Sequence, residues 1–165
     1  MKVMRLLSSL KHDESERGIF HIGRALVKND HTSIIVSSAD EDNDLVRRLK
    51  RDGNIYHQLH MNKKSWLALL KVTALRHLIE KYDPDVIHVH SRTPAWILHL
   101  ALRRARVKRM PKLVSTMYGF YPINKYSQAL LDVDTIITVS DSVTNYLKKG
   151  LRLEDADPKT IKRIY

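Results

Sequence analysis

The sequence predicts an α/β fold: a doubly wound parallel sheet of about six strands with helices on both faces. Three observations carry that expectation. Short apolar, β-branched runs alternate with longer segments of helical periodicity along the chain. The connections between them are short, as strand–helix–strand units require. Finally, Asp83-Pro84-Asp85-Val86-Ile87-His88-Val89-His90-Ser91-Arg92-Thr93-Pro94-Ala95-Trp96 runs from a turn through an apolar strand straight into a helix opening. In a parallel sheet, ligands bind at such junctions.

The elements follow in order. Lys2–Ser8 reads as a strand, and Glu14–Asn29 as a helix with Ile19, Ile22, Leu26 and Val27 at helical spacing. Asp13 with Glu16 resembles a capping box before it. His31–Ser37 is the second strand, and Glu41–Arg51 a helix with an acidic opening, ended by Gly53. Asn54–His60 is the third strand. Lys63–Lys81 is the longest helix, with Trp66, Leu69, Leu70, Leu78 and Ile79 on or near one face. Val86–His90 is the fourth strand, with Val86, His88 and His90 on one face and Ile87 and Val89 on the other.

The fourth helix spans Pro94–Arg106, with Thr93 as N-cap and Pro94 at the first helical position. Lys112–Met117 is a strand, Ser127–Leu131 a short helix and Thr135–Val139 a strand. Ser140 caps a last helix to about Lys149. This order describes one Rossmann-like domain over residues 1–165, and Asp157–Tyr165 reads as a chain entering a further strand or domain.

Composition narrows the class. At 165 residues the chain can bury roughly 70% of its unfolded surface in one core. The absence of cysteine excludes disulfides, thiolate metal sites and cysteine nucleophiles, and fits a reducing, cytoplasmic setting. No apolar run reaches the ~20 residues of a membrane span, and Met1 leads directly into a strand, so no signal peptide is expected. Lys+Arg of 29 against Asp+Glu of 18 gives +11, which favours a polyanionic neighbour: nucleic acid, acidic lipid or phosphorylated substrate. The densest cluster is Arg103, Arg104, Arg106, Lys108 and Arg109. It reads either as a solvated helix end, with cations near the C-terminal dipole, or as part of a binding surface.

The carboxyl ends of the strands bring Ser8–Glu14, Ser37–Asp40, His90–Thr93, Met117–Asn124 and Ser140–Asp141 to one edge. Arg92 suits bidentate clamping of a phosphate or carboxylate, and His90 can donate a hydrogen bond or move a proton near neutral pH. His88 reads as buried and satisfied. The aromatics of Tyr118-Gly119-Phe120-Tyr121-Pro122-Ile123-Asn124 suit either stacking on a sugar or base ring or covering the sheet edge. His57/His60 and His88/His90 are paired histidines without a carboxylate cluster, so no metal is expected. Gly-x-Gly-x-x-Gly, P-loop and Gly-x-Ser-x-Gly motifs are absent.

Taken together, these residues resemble the N-terminal domain of the family 4 glycosyltransferases, which have the two-domain GT-B fold. Ser8-Ser9-Leu10 and Glu16-Arg17-Gly18 match the family's first strand, loop and Glu-Arg-Gly helix opening. Asp83–Trp96 is similar to a bacterial branch that builds envelope polysaccharides, including lipopolysaccharide. Ser115-Thr116-Met117-Tyr118-Gly119-Phe120-Tyr121 matches its His-Gly-Phe-Tyr loop, and Asp134-Thr135-Ile136-Ile137-Thr138-Val139-Ser140 its strand ending Val-Ser. The resemblance implies retaining, metal-independent transfer from a nucleotide-sugar co-substrate, with no tightly bound cofactor. The acceptor, lipid-linked or glycan, would be held by this half and the donor by another.

The resemblance assigns catalytic positions to His90 and to Tyr118, which stands where the family has histidine. It gives substrate contacts to Glu16, Ser91, Arg92, Gly119, Phe120, Tyr121 and Ser140. It also implies an anionic membrane surface as a partner, peripheral on the inner face of the cytoplasmic membrane. Two departures stand out: Lys11-His12-Asp13-Glu14-Ser15 replaces a glycine-rich loop, and a tyrosine, with its ordinary pKa near 10, replaces a histidine. With the donor-binding domain outside these residues, the chain alone is expected to be inactive, being either a truncated piece of such an enzyme or one that works with a separate donor-binding chain. The alternatives are an inactive binding module derived from such an enzyme and a basic nucleic-acid-binding domain, the latter disfavoured because charge comes without a recognition helix.

Overall fold

The structure, a computed structural model, describes residues 1–10, 14–61, 68–122, 124–151 and 160–164. Asp13 of the expected capping box, the 11–13 segment and Trp66 of the third helix lie outside the described residues. Seven strands form one parallel sheet: β1 (Lys2–Leu6), β2 (Thr32–Ser37), β3 (Ile55–Gln58), β4 (Val86–Val89), β5 (Lys112–Met117), β6 (Thr135–Thr138) and β7 (Thr160–Arg163). Between them run α1 (Glu14–Lys28), α2 (Asp44–Arg51), α3 (Ala68–Tyr82), α4 (Arg92–Leu102), α5 (Gln128–Leu131) and α6 (Asp141–Leu151). The order is β3-β2-β1-β4-β5-β6-β7, so the direction of winding reverses between β1 and β4.

The helices divide at that reversal, as a single crossover handedness requires. Ile19 and Phe20 of α1 and Leu45, Val46 and Leu49 of α2 pack with Leu7, Ile35 and Tyr56 on one face. Helices α3 to α6 pack on the other through Leu75, Ile79, Ile97, Leu98, Leu130, Val143 and Leu147, against Met4, Leu6, Ile34, Ile87, Val89 and Ile136. Strand alternation therefore leaves Arg5, His88 and His90 on the α1 side, with Ile87 and Val89 on the opposite face.

Several boundaries differ from expectation for identifiable reasons. Helix α4 starts at Arg92 with Ser91 as N-cap, because the Thr93 hydroxyl bonds to the Tyr126 hydroxyl rather than capping the helix. Pro94 still fits, since N–H groups of the first turn have no helical acceptor. The same helix stops at Leu102, four residues early: the Glu80 carboxylate accepts the Arg106 N–H and Asp83 accepts the Lys108 N–H, pulling the chain towards β5.

Helix α2 begins at Asp44 because Asn43 Oδ1 accepts the Leu45 N–H at 2.8 Å. It ends in a Schellman turn, Asn54 N–H to Leu49 C=O and Gly53 N–H to Lys50 C=O, with Gly53 at φ 83°. Leu70, expected on the buried stripe of α3, is exposed, whereas Ile79 is buried as expected and Leu75 joins it. The closing segment contributes β7, parallel to β6.

Candidate functional site

Arg5 lies at the base of the switch point. Its side chain is fully buried, next to His88 in the sheet register, and its guanidinium donates to Ile19 C=O, Ser33 Oγ at 3.0 Å and Asn54 Oδ1 at 3.3 Å. Gly23 of α1 makes room for this: a Cβ there would stand 2.6 Å from Arg5 Nη2 and 2.5 Å from Asn54 Oδ1. Burial lowers the Arg5 pKa to about 10, and all three acceptors are neutral.

Above Arg5, the β4 histidines rise towards the carboxyl edge. Both are 8% exposed, and their rings lie 4.1 Å apart between centroids. His88 Nε2 bonds to Thr116 Oγ1 of β5 at 2.7 Å. Burial, reinforced by the Arg5 cation, lowers the His88 pKa to about 4. His90 is held well below the usual imidazole range by burial first, then by His88 and Arg5. Both rings are thus neutral near pH 7.

His90 Nδ1 bonds to the Tyr118 hydroxyl at 2.9 Å, and its Nε2, like Ser91 Oγ, is buried without a hydrogen-bond partner among the described residues. A neutral imidazole is both donor and acceptor, so the pair can orient the Tyr118 hydroxyl towards a ligand. The Tyr118 side chain itself is 36% exposed.

Arg92 follows at the first turn of α4. Its guanidinium carbon lies 5.1 Å from the Tyr121 ring centroid and 5.1 Å from that of Tyr126. The loop after β5 thus wraps around this residue. Phe120 is 62% exposed and meets Tyr146 edge-on at 5.2 Å, while the Tyr146 hydroxyl donates to Tyr121 C=O. A Cβ at Gly119 would meet nothing within 4 Å, so the fold alone does not demand glycine there.

His90, Ser91, Arg92, Tyr118 and Tyr121 come together at one edge. Ser140 stands two strands away, where its Oγ accepts the Val143 N–H and caps α6. Glu16 is in the first turn of α1, with its side chain outside the described residues. Sequence reading passed over Arg5 and Tyr126. The signal for the first was a lone cation inside the apolar strand Lys2–Leu6; for the second, a further tyrosine five residues beyond Tyr121.

The other motifs resolve simply. His57 Nε2 bonds to the Tyr82 hydroxyl at 2.7 Å, and among the described residues no three His, Asp or Glu side chains gather as a metal site. Arg103, Arg104, Arg106, Lys108 and Arg109 are exposed beyond the far end of α4, and among the described residues no carboxylate pairs with their side chains. No described helix is long and apolar enough to cross a membrane.

A parallel sheet of this order with polar groups gathered at the carboxyl edge, next to the reversal, defines a Rossmann-type ligand-binding domain. The sequence profile of Glycosyltransferase Family 4 matches residues 15–164, and the chain belongs to that family. Among solved structures, it is similar to a glycosyltransferase from Rickettsia africae ESF-5, with TM-score 0.77 and 25% identity over 99% of this chain and 42% of that one. It is also similar to the apo form of the lipopolysaccharide outer core galactosyltransferase WaaB, with TM-score 0.68 and 14% identity over 98% and 44%. HepE of Anabaena, in complex with UDP and glucose, has TM-score 0.66 and 15% identity over 100% and 44%. The chain spans less than half the length of these structures. No curated protein matches it.

Proposed function

We propose that this domain forms the acceptor-side wall of a retaining, metal-independent glycosyltransferase that uses a nucleotide-sugar to extend an envelope glycan such as lipopolysaccharide. The observation that carries the reading is the His90–Tyr118 pair at the carboxyl ends of β4 and β5, beside the winding reversal. With both imidazoles neutral, the His90 contact fixes the Tyr118 side chain at this edge, where it would line the site of an acceptor sugar. The envelope reading is supported by the Asp83–Trp96 segment, and the donor reading by family membership.

The donor-binding half is supplied from outside these residues. In the test, the chain is incubated with UDP- or GDP-sugars and glycan acceptors, alone and with a donor-binding domain added. The expected result is transfer only with both halves. Turnover by the chain alone overturns the two-half reading, and sugar binding without transfer in the mixture favours an inactive binding module.

An anionic membrane contact belongs to the same proposal, supported by the five exposed cations after α4, which pair with no carboxylate among the described residues. Eleven residues of helix separate them from the Arg92 end, roughly 16 Å at 1.5 Å per residue. A surface bound there tethers the domain without lining the acceptor site.

A further inference from the structure

We propose that Arg92 reads an anionic substituent, a carboxylate or a phosphate, on the sugar acceptor; this deepens and rests on the acceptor-side reading above. The guanidinium carbon lies over two tyrosine rings, 5.1 Å from each centroid. Contacts of this kind hold a guanidinium by its faces and leave the in-plane N–H groups for a partner. Among the described residues no carboxylate or carbonyl takes those N–H groups.

The two rings are themselves secured. The Tyr126 hydroxyl bonds to Thr93 Oγ1, one residue along from Arg92, and the Tyr126 N–H to Asn124 Oδ1 at 3.0 Å. The Tyr121 carbonyl is held by the Tyr146 hydroxyl at 2.8 Å, and Tyr146 is braced by Phe120. A loop tied down by these contacts holds the two rings that pack on Arg92 before any ligand arrives, which reduces the ordering cost of binding. A planar fork fixed in this way matches two oxygens of a carboxylate or phosphate bidentately. Phe120, 62% exposed and next to Tyr121 in the chain, offers an apolar face to the sugar ring carrying that group.

The contrast with Arg5 supports the assignment. Arg5 makes three hydrogen bonds to neutral protein acceptors and is sealed from solvent. Arg92 is partly exposed, at the edge where His90 and Tyr118 meet.

The test uses the isotope-labelled full chain titrated with methyl glucuronide, glucose 6-phosphate, methyl glucoside and inorganic phosphate, followed by NMR of the Arg92 side chain. The expected result is that one charged sugar binds about tenfold or more tightly than the neutral glucoside and shifts the Arg92 Nε–H signal. Whether glucuronide or sugar phosphate does so identifies the anion. Arg92→Gln should equalise charged and neutral sugars. Arg92→Lys, which keeps the charge but loses the planar fork, should lose most of the preference while the spectrum elsewhere shows an intact fold.

Equal binding of all three sugars overturns the proposal. So does a preference that survives in Arg92→Gln, or inorganic phosphate binding as tightly as glucose 6-phosphate. The transfer assay with both halves separates the two readings. Transfer to neutral acceptors only overturns this inference and leaves the glycosyltransferase reading standing. Arg92-dependent binding of charged sugars without any transfer does the reverse.

Discussion

Arg5 and Arg92 show how the same side chain serves two parts of one domain. Arg5 lies under the sheet's switch point, fully buried, with Gly23 shaved back to admit it and Ile19, Ser33 and Asn54 as acceptors. Its charge bears on the two neutral histidines above it. Arg92 sits at the rim, held by aromatic faces, its donor edge unspent among the described residues. The difference teaches that the hydrogen bonding of the terminal Nη groups separates a structural cation from a recognition cation, even though Arg5 Nε is buried without a partner among the described residues. Burial alone does not, because the buried histidine His90 also keeps an unpartnered nitrogen.

The comparison breaks first at Arg5. Replacing Arg5 with Ala should cost about 4 kcal/mol, since it leaves a cavity and removes the donor from buried Ser33 Oγ and Asn54 Oδ1; urea unfolding measures it. A loss below about 1 kcal/mol would mean that Arg5 is not the structural member of the pair.

The next effect is the response to acid. In the fold, His88 titrates at about 4 against an ordinary 6.5, so the unfolded chain binds the extra proton first. Stability is therefore full above pH 6.5 and falls as pH drops towards 4, by about 3 kcal/mol for this one group. His90 shifts in the same direction. Unfolding midpoints between pH 7.5 and 5 should fall steeply, and His88→Gln should flatten that slope. A slope unchanged by the substitution would remove Arg5 and burial as the controls on this residue.

Gly23→Ala tests the space rather than the charge. Its Cβ meets Arg5 and Asn54, so a loss of about 2 kcal/mol is expected despite alanine's better helix propensity. At the rim the same kind of change should be silent: Gly119→Ala meets nothing and should leave the thermal midpoint within measurement error. A loss of ligand binding in that variant would then report contact with the ligand.

An equally small effect on stability is expected for the triple change Arg103→Gln, Arg104→Gln and Arg106→Gln. Exposed and unpaired side chains shift stability by within about 0.5 kcal/mol. Co-sedimentation with vesicles containing anionic lipid should nonetheless fall. Retained binding would move the membrane contact elsewhere on the domain.

Much of the architecture was legible because strand and helix periods are local. The alternation along the chain, the placement of β5 at Lys112–Met117 and the Ser140 cap all follow from side chains that act on their own neighbourhood. The division of β4 into an apolar face and a histidine face was equally readable, because successive side chains in a strand alternate. Boundaries drifted where a distant partner intervened: Tyr126 took Thr93 away from capping α4, and Glu80 and Asp83 ended that helix early. Gathering His90, Arg92 and residues 118–122 at one edge required only the parallel-sheet rule.

By itself, then, the sequence determined the alternation of strands and helices in a doubly wound sheet, the edge that carries the polar groups and the family pattern on them. Only the tertiary structure decided what each of those groups is free to do. It spends His88 on Thr116 and Ser140 on α6, sets Tyr118 against His90, and closes two tyrosines around Arg92. The physical reason is range. Periodicity and capping act within a few residues, whereas hydrogen bonds, ring contacts and the field of a buried cation join side chains about 30 to 80 positions apart, as with His90 and Tyr118 or Arg5 and His88.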